Sequence, residues 1–367
     1  MQKKITYRIG DVSKIYSGGD RPEIYSDIQN SECPIPIYSN GLDNEGLYGY
    51  TNKSQIEGDC ITVAARGVNI GTVFYRPTPF LPIVRLLSVI PNRTLVNAKY
   101  LYYYFQIDTI IGTGSAQPQL TIPFFQKKKI LIHEDISYQQ KIASILSAYD
   151  NLIQNYKKQI EALQTASSEL YKEWFVRFRF PGWQNAKFEN GIPEGWKVEK
   201  LGTLANISTG KCNREDAEDD GIYPLFDRSQ EIKKSNEWIK DCEAIIVPGE
   251  GTSFIPRYYK GKFNLHQRCY CVEPKYPDFG KFLFYVLMLN RKYFLSVATG
   301  ATVPSLRYNN FASMKFILPE ICLCNNFNKI ADDIFAKVDN LQQQITNLTQ
   351  QRDLLLPRLM SGKLEVK

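Results

Sequence analysis

The chain has 367 residues, 43% of them hydrophobic and 23% charged, and 45 Lys and Arg against 38 Asp and Glu leave a net charge of +7. These values argue against wholesale disorder, and with no run of 18 apolar residues no transmembrane helix is expected. The length suits two or three domains.

The first residues, MQKKITYR, have no apolar stretch, so no secretory signal is expected. Eight cysteines, with two C-x-C pairs and no C-x-x-C, fit neither a disulfide framework nor a zinc ribbon. They read as reduced thiols, mostly packed in cores, in a cytoplasmic protein. The basic excess is spread along the chain, which is compatible with a nucleic-acid partner without demanding one.

In chain order, the string RIGDVSKIYSG at 8–18 comes first, followed by an apolar run at 56–64 that predicts a buried strand. Aromatic residues at helical spacing predict a short helix over 97–111, and the loop TGSAQPQL follows at 113–120. A long helix is expected from 136. About 190 residues on, the same order returns: KLGTLANISTG at 200–210, an apolar strand at 243–248, a short helix over 279–296, the loop TGATVPSL at 299–306, and a second long helix. KIA and DNL recur in both long helices, at 141–143 and 329–331 and at 150–152 and 339–341. A period this long describes two copies of one unit, each a mixed domain followed by a helix. Many Gly and Pro residues predict twisted, irregular sheets.

The long helices are the most sharply specified elements. Leu146, Tyr149, Ile153, Tyr156, Ile160, Leu163, Ser167, Leu170 and Trp174 alternate by three and four, a heptad seam. Val338, Leu341, Ile345, Leu348, Arg352, Leu355 and Leu359 repeat the pattern. Upstream, Phe327, Ile330 and Ile334 read as one residue out of phase with it, and Pro357 should end or bend the helix. Each helix would be roughly 35 residues, or about 50 Å. The seams could join two chains. Pairing within one chain, antiparallel, is the preferred reading, because a duplication supplies one seam per copy.

Three strings are specific: ELYKEWFVRFRFPG at 169–182, IPEGWKVEKLG at 192–202 and LLLPRLMSGKLEV at 354–366. With the duplication, they make the chain resemble the specificity subunit of type I restriction–modification systems over its whole length. Arg179 stands where the family's string more often has an acid. The resemblance implies an α+β fold: two mixed α/β target-recognition domains in tandem, with two long helices forming an intramolecular antiparallel coiled coil of pseudo-twofold symmetry. The expected divisions are 1–135 and 179–320 for the recognition domains, and 136–178 and 321–367 for the spacer helices, the last with a C-terminal tail.

The resemblance also implies sequence-specific binding of double-stranded DNA at a bipartite site. Partners would be two methyltransferase subunits and motor-nuclease subunits, for adenine N6 methylation or restriction. No chemistry and no cofactor would belong to this chain; S-adenosylmethionine, ATP and magnesium would sit in the partners. The sequence agrees. It has no phosphate-binding G-x-x-x-x-G-K-[ST] string, no Pro-Pro pair as amino-methyltransferase motifs need, and two distant histidines, His133 and His266, that make a metal or triad site improbable.

Candidate DNA contacts cluster at RYYKGKFNLHQR, 257–268, where Arg257, Tyr258, Lys260, Lys262, His266, Gln267 and Arg268 mix cations, aromatics and amides without an acid. The alternative is an exposed hairpin with solvated charges. Arg66 and Asn69 in RGVNIG, and Thr252 in EGTS, follow the apolar strands of the two copies. Lys211 and Arg214 follow the second copy's opening string. Gln117, Gln119, Ser305 and Arg307 lie in or beside the repeated loops. Lys127, Lys128 and Lys233-Lys234 are candidate phosphate holders, and 102–104, three tyrosines, read as core.

Overall fold

The computed structural model describes residues 2–112 and 118–366. Two compact units divide it: Met1–Lys157 with Gln343–Lys367, and Lys158–Gln342. The division does not follow the ends of the long helices, because each unit takes half of each helix into its own core.

In the first unit, Lys4–Arg8 pairs antiparallel with Lys129–His133. A four-stranded antiparallel sheet runs in the order Ser13–Ser17, Leu87–Pro91, Cys60–Val63, Val73–Arg76. A three-stranded sheet is built from Leu47–Thr51, Ile35–Tyr38 and Leu81–Pro82. The strand expected over 56–64 is shorter than its apolar run. Gly58 (φ +94°) and Asp59 (φ +47°) turn the backbone, and Ile56 bridges to Phe80 instead. All four residues of Cys60–Val63 are buried. The helix Ala98–Ile107 packs on this strand and starts where the Asn97 side chain accepts the Tyr100 N–H (3.0 Å).

The second unit repeats the order. Lys197–Lys200 pairs with Lys315–Leu318. The main sheet runs Ala205–Thr209, Cys269–Pro274, Lys240–Pro248, Arg257–Leu265 in the same first, fourth, second, third order as its counterpart. It then continues into Tyr223–Phe226 and Lys233–Ser235, with one parallel pairing, between Tyr223–Phe226 and Arg257–Leu265. The helix expected over 279–296 is two helices, Gly280–Leu289 and Arg291–Val297. Asn290 separates them, its side-chain amide donating to the Val286 carbonyl (2.8 Å).

The long helices span Ile136–Tyr171 and Ile321–Ser361. Their pairing lies within each unit. In the first, Ile142 and Leu146 share a core with Leu356, Leu359 and Met360, and Asp150 Oδ1 holds Arg352 Nη1 at 2.6 Å. In the second, the end of the first helix meets the start of the other: Tyr171 and Trp174 pack on Phe327, ring centroids 5.8 and 6.1 Å apart. The helices therefore run antiparallel, inside one chain.

Every expected seam residue is inward. Leu146, Ile153, Val338 and Leu341 are buried, and Tyr149, Tyr156, Ile160, Leu163, Leu170, Ile345, Leu348 and Leu355 half-buried. The expected phase slip is absent. Ile330 is 41% exposed, while Ala331 is wholly buried. Cys324, Phe327, Ala331, Ile334, Val338 and Leu341 thus alternate by three and four without interruption. A small seam residue beside a large exposed neighbour disguised the phase. Nor does Pro357 end the helix: it continues to Ser361, and Gly362 (φ +79°) closes it.

All eight cysteines are free thiols, and Cys33, Cys60, Cys269, Cys271 and Cys324 are buried. Among the described residues, no helix is long and apolar enough to cross a membrane.

Candidate nucleic-acid interface

The basic string at 257–268 does not act as one patch, and it is not an exposed hairpin. Its first nine residues are a strand inside the six-stranded sheet. Alternation sends successive side chains to opposite faces. Arg257 is turned inward: it lies over the Phe226 ring and donates to the carbonyls of Ser229 (2.9 Å) and Asp227 (2.6 Å). Tyr258 packs on Phe284 and Phe335 and donates to Glu243 Oε1 (2.7 Å). Both side chains are half-buried and already engaged within the fold. Lys260 and Lys262 are exposed. Glu243 and Asp241 stand opposite them on the neighbouring strand, and Lys262 also lies over Trp238.

A pocket and a charged cluster gather at the end of this strand. A Cβ on Gly210 would stand 1.7 Å from the Leu265 carbonyl oxygen, so only glycine permits the close approach there. That contact sets 211–216 beside 266–268: Lys211 N donates to Leu265 O (3.1 Å), and Gln267 donates to Asn213 Oδ1 (2.6 Å). A pocket of about 260 Å³ opens here, lined by Arg214, Asp227, Arg228, Glu250, His266 and Val303 among others.

Glu250 is the hub. Its carboxylate, 11% exposed, takes Arg228 Nη1 on one oxygen (2.8 Å) and Arg268 Nη1 on the other. Beneath, His266 is buried and its Nδ1 accepts the Arg268 backbone N–H (3.0 Å). Burial and then Arg228 lower its pKa, keeping the ring neutral at pH 7. Burial alone would raise the pKa of Asp227. Hydrogen bonds from Ser229 and Lys233 outweigh it and pull the carboxyl down to about 2. Lys233 is thereby committed to the fold rather than free for phosphate.

The equivalent place in the first unit is recognisable by its backbone. Leu120 N donates to Ala65 O (2.9 Å) just as Leu306 N donates to Gly249 O (2.8 Å). Arg66 bridges Gln119 as Glu250 bridges Ser305. Arg66 and Gln119 are half-buried here. Asn69 is tied to the Asn40 carbonyl (3.2 Å), and Asn40 Oδ1 accepts the Ala65 N–H (2.8 Å), so Asn69 shapes the turn. Lys128 is held by Asp108 (3.1 Å), while Lys127 is exposed. Thr252, Lys211, Arg214 and Arg307 are exposed, and Ser305 half-buried. Gln117 lies outside the described residues. Of the tyrosines at 102–104, Tyr103 is buried and its hydroxyl donates to Asp150 (2.5 Å).

Sequence reasoning missed Arg228 and Glu250. Glu250 was in view within EGTS, but an acid on a surface expected to meet phosphates carried no signal by itself. Its meaning lies in two arginines, 22 positions upstream and 18 downstream, that only the fold brings together.

A family model described as the type I restriction modification DNA specificity domain matches residues 1–165 and 193–353. The chain belongs to this family. Each match covers one copy of the repeat. The MjaIX specificity subunit of a Methanocaldococcus jannaschii type I restriction enzyme is 27% identical over 346 residues, covering 81% of this chain and 76% of that protein. The MjaVIII specificity subunit of the same organism is 26% identical and covers 98% and 92%. The EcoDI specificity subunit of Escherichia coli is 30% identical over 177 residues, covering 47% and 39%. A crystal structure of a type I restriction–modification S subunit from M. genitalium superposes with a TM-score of 0.67 at 18% identity, over 98% of this chain and 96% of that one, a likeness of fold. As a member of this family the chain is a DNA-recognition subunit, and it is not itself an enzyme.

Proposed function

We propose that the chain reads a bipartite site on duplex DNA, one half with each unit, and holds two methyltransferase subunits and motor-nuclease subunits for adenine N6 methylation or restriction in the cytoplasm. One observation carries this reading. The two units set the same backbone bridge beside their central sheets but fill it with different chemistry, Arg66 with Gln119 in one and Glu250 with Ser305 in the other. A shared scaffold with unlike edges suits two readers of unlike half-sites.

The long helices suit a spacer. The first has 36 residues, about 54 Å at 1.5 Å each, enough to span half-sites one turn of B-DNA apart, about 34–36 Å. The chain would bind no cofactor. S-adenosylmethionine, ATP and magnesium would act in the partners.

Methylation mapping of DNA from cells with and without the chain tests the reading. A two-part sequence methylated at adenine only in its presence is the expected result. Methylation patterns that do not change on its removal, with the partner subunits expressed, would overturn it.

A further inference from the structure

We propose that Arg228 and Arg268, aimed by the carboxylate they share on Glu250, read guanine edges in the half-site taken by the second unit. The inference deepens the reading above, and rests on it, by naming bases and the residues that read them.

An acid on a surface that meets phosphates repels its ligand unless it does something else. Glu250 is only 11% exposed, and each of its oxygens is taken by a different arginine. The arginines are the exposed members, at 47% and 58% of their side-chain surface. Each spends one amino group on Glu250. Nε and Nη2 of both have no protein partner among the described residues. A long cationic side chain pinned at one corner loses less rotamer freedom on binding, and its remaining donors keep a fixed plane. That is the fork that pairs with guanine O6 and N7.

The launching points are also fixed. Arg268 leaves a tight turn in which its own N–H is held by His266, and Cys269 N donates to His266 O (2.9 Å). Arg228 follows Asp227, whose carboxylate is held by Ser229 and Lys233. The first unit has an arginine, Arg66, where the second has Glu250. The acid is therefore no requirement of the scaffold. Glu250 is a positioning residue, and the arginines are the readers.

The test separates fork from charge. The full chain, with and without the modification subunit, selects duplexes from a random library, and the pools are sequenced. Arg228→Lys and Arg268→Lys keep a cation for phosphate but lose the planar fork. Each is expected to cut the guanine preference at one position of the second half-site by roughly tenfold or more, leaving the first half-site and non-specific affinity unchanged. Glu250→Gln is expected to weaken both positions together. Replacing with 7-deazaguanine, which lacks the N7 acceptor, the one guanine whose preference a lysine variant has lost should weaken wild-type binding and leave that variant little changed. Wild-type guanine preference in the lysine variants, or a second half-site without guanine, overturns the proposal while a selected two-part site leaves the general reading intact. Selection of no two-part site by the wild-type chain in either form overturns that reading as well.

Discussion

The two units carry the same strand order and the same loop bridge, yet they differ in nearly every group placed around that bridge. In the first, the four-stranded sheet ends at Val73–Arg76 and the flanking strands form a sheet of their own. In the second, the longer strand Arg257–Leu265 extends the sheet to six. The polar ties to the long helices also differ. Tyr103 donates to Asp150, which holds Arg352, in the first. In the second, Tyr258 donates to Glu243, and Lys281 bonds the Tyr258 hydroxyl (3.1 Å) while pairing with Asp332. The same problem, fixing a recognition domain on a helix, has two side-chain solutions on one backbone plan. Framework and chemistry separate cleanly, so each can be perturbed in one unit with the other as internal control.

The largest contrast is expected at equivalent glycines. Gly18 and Gly210 end the two copies of the opening string. A Cβ at Gly210 would stand 1.7 Å from Leu265 O, and one at Gly18 2.7 Å from Ile83 N. Backbone is what each would strike, so no rotamer change gives relief. Gly210→Ala should destabilise the second unit by about 3 kcal/mol and Gly18→Ala the first by less, since overpacking of this kind costs about 1–3 kcal/mol and occasionally more. Hydrogen exchange resolved by segment measures both. Equal losses in the two variants would break the comparison.

Next is the charged seam pair. Asp150→Ala takes the partner of Arg352 Nη1, leaving the guanidinium to the neighbouring Asp353 alone, and frees the Tyr103 hydroxyl. The expected cost is about 2 kcal/mol, below that of a wholly buried pair because both side chains keep some exposure. Adding Arg352→Leu should recover most of it, by restoring an apolar seam. Chemical denaturation of the two single variants and the double variant closes the cycle. No recovery in the double variant would mean that Asp150 acts through Tyr103 alone.

A third contrast concerns specificity. Arg66→Ala should weaken binding to cognate DNA by roughly 1–3 kcal/mol, and it should relax base preference in the first half-site alone. Sequencing of selected duplexes reads this directly. A change in the second half-site would show that the units do not read independently.

The helices, the duplication and the apolar strands were legible because they rest on periodicity and self-similarity, which are properties of the string. The heptad residues came out inward because alternation by three and four has one geometric meaning. Ile330 misled because hydrophobicity was read without the competing claim of Ala331, whose small side chain is the one buried in the core. Arg257 and Tyr258 misled for a related reason. A run of basic and aromatic residues looks like a patch in one dimension, but a strand divides it between two faces, and here each face packs on a core of its own, Arg257 over Phe226 and Tyr258 on Phe284 and Phe335. The cluster at Glu250 was not legible, because 227–229, 249–252 and 266–268 meet only through the sheet and through the close approach at Gly210.

The last contrast is a pH response centred on His133 of the first unit. His133 is fully buried there, with the Tyr100 hydroxyl 2.9 Å from Nδ1, the Tyr138 ring beside it, and no partner for Nε2 among the described residues. Burial first, and then the charge of Lys4, push its pKa down to about 4. In the unfolded chain a histidine titrates near 6.5. Between these values the unfolded state binds a proton that the folded state refuses. Stability is therefore fully present above about pH 6.5 and is lost progressively as pH falls toward 4. The expected loss by pH 5 is about 2 kcal/mol, or roughly 4–8 °C in the melting midpoint of a domain this size. His133→Gln, which cannot titrate, should flatten that slope in the first unit even if it lowers stability at pH 7. His266 is displaced in the same direction in the second unit, so segment-resolved exchange at pH 5 and pH 7 is the decisive measurement. A His133→Gln chain whose first unit still loosens at pH 5 as the wild type does would place the response in its carboxylates instead.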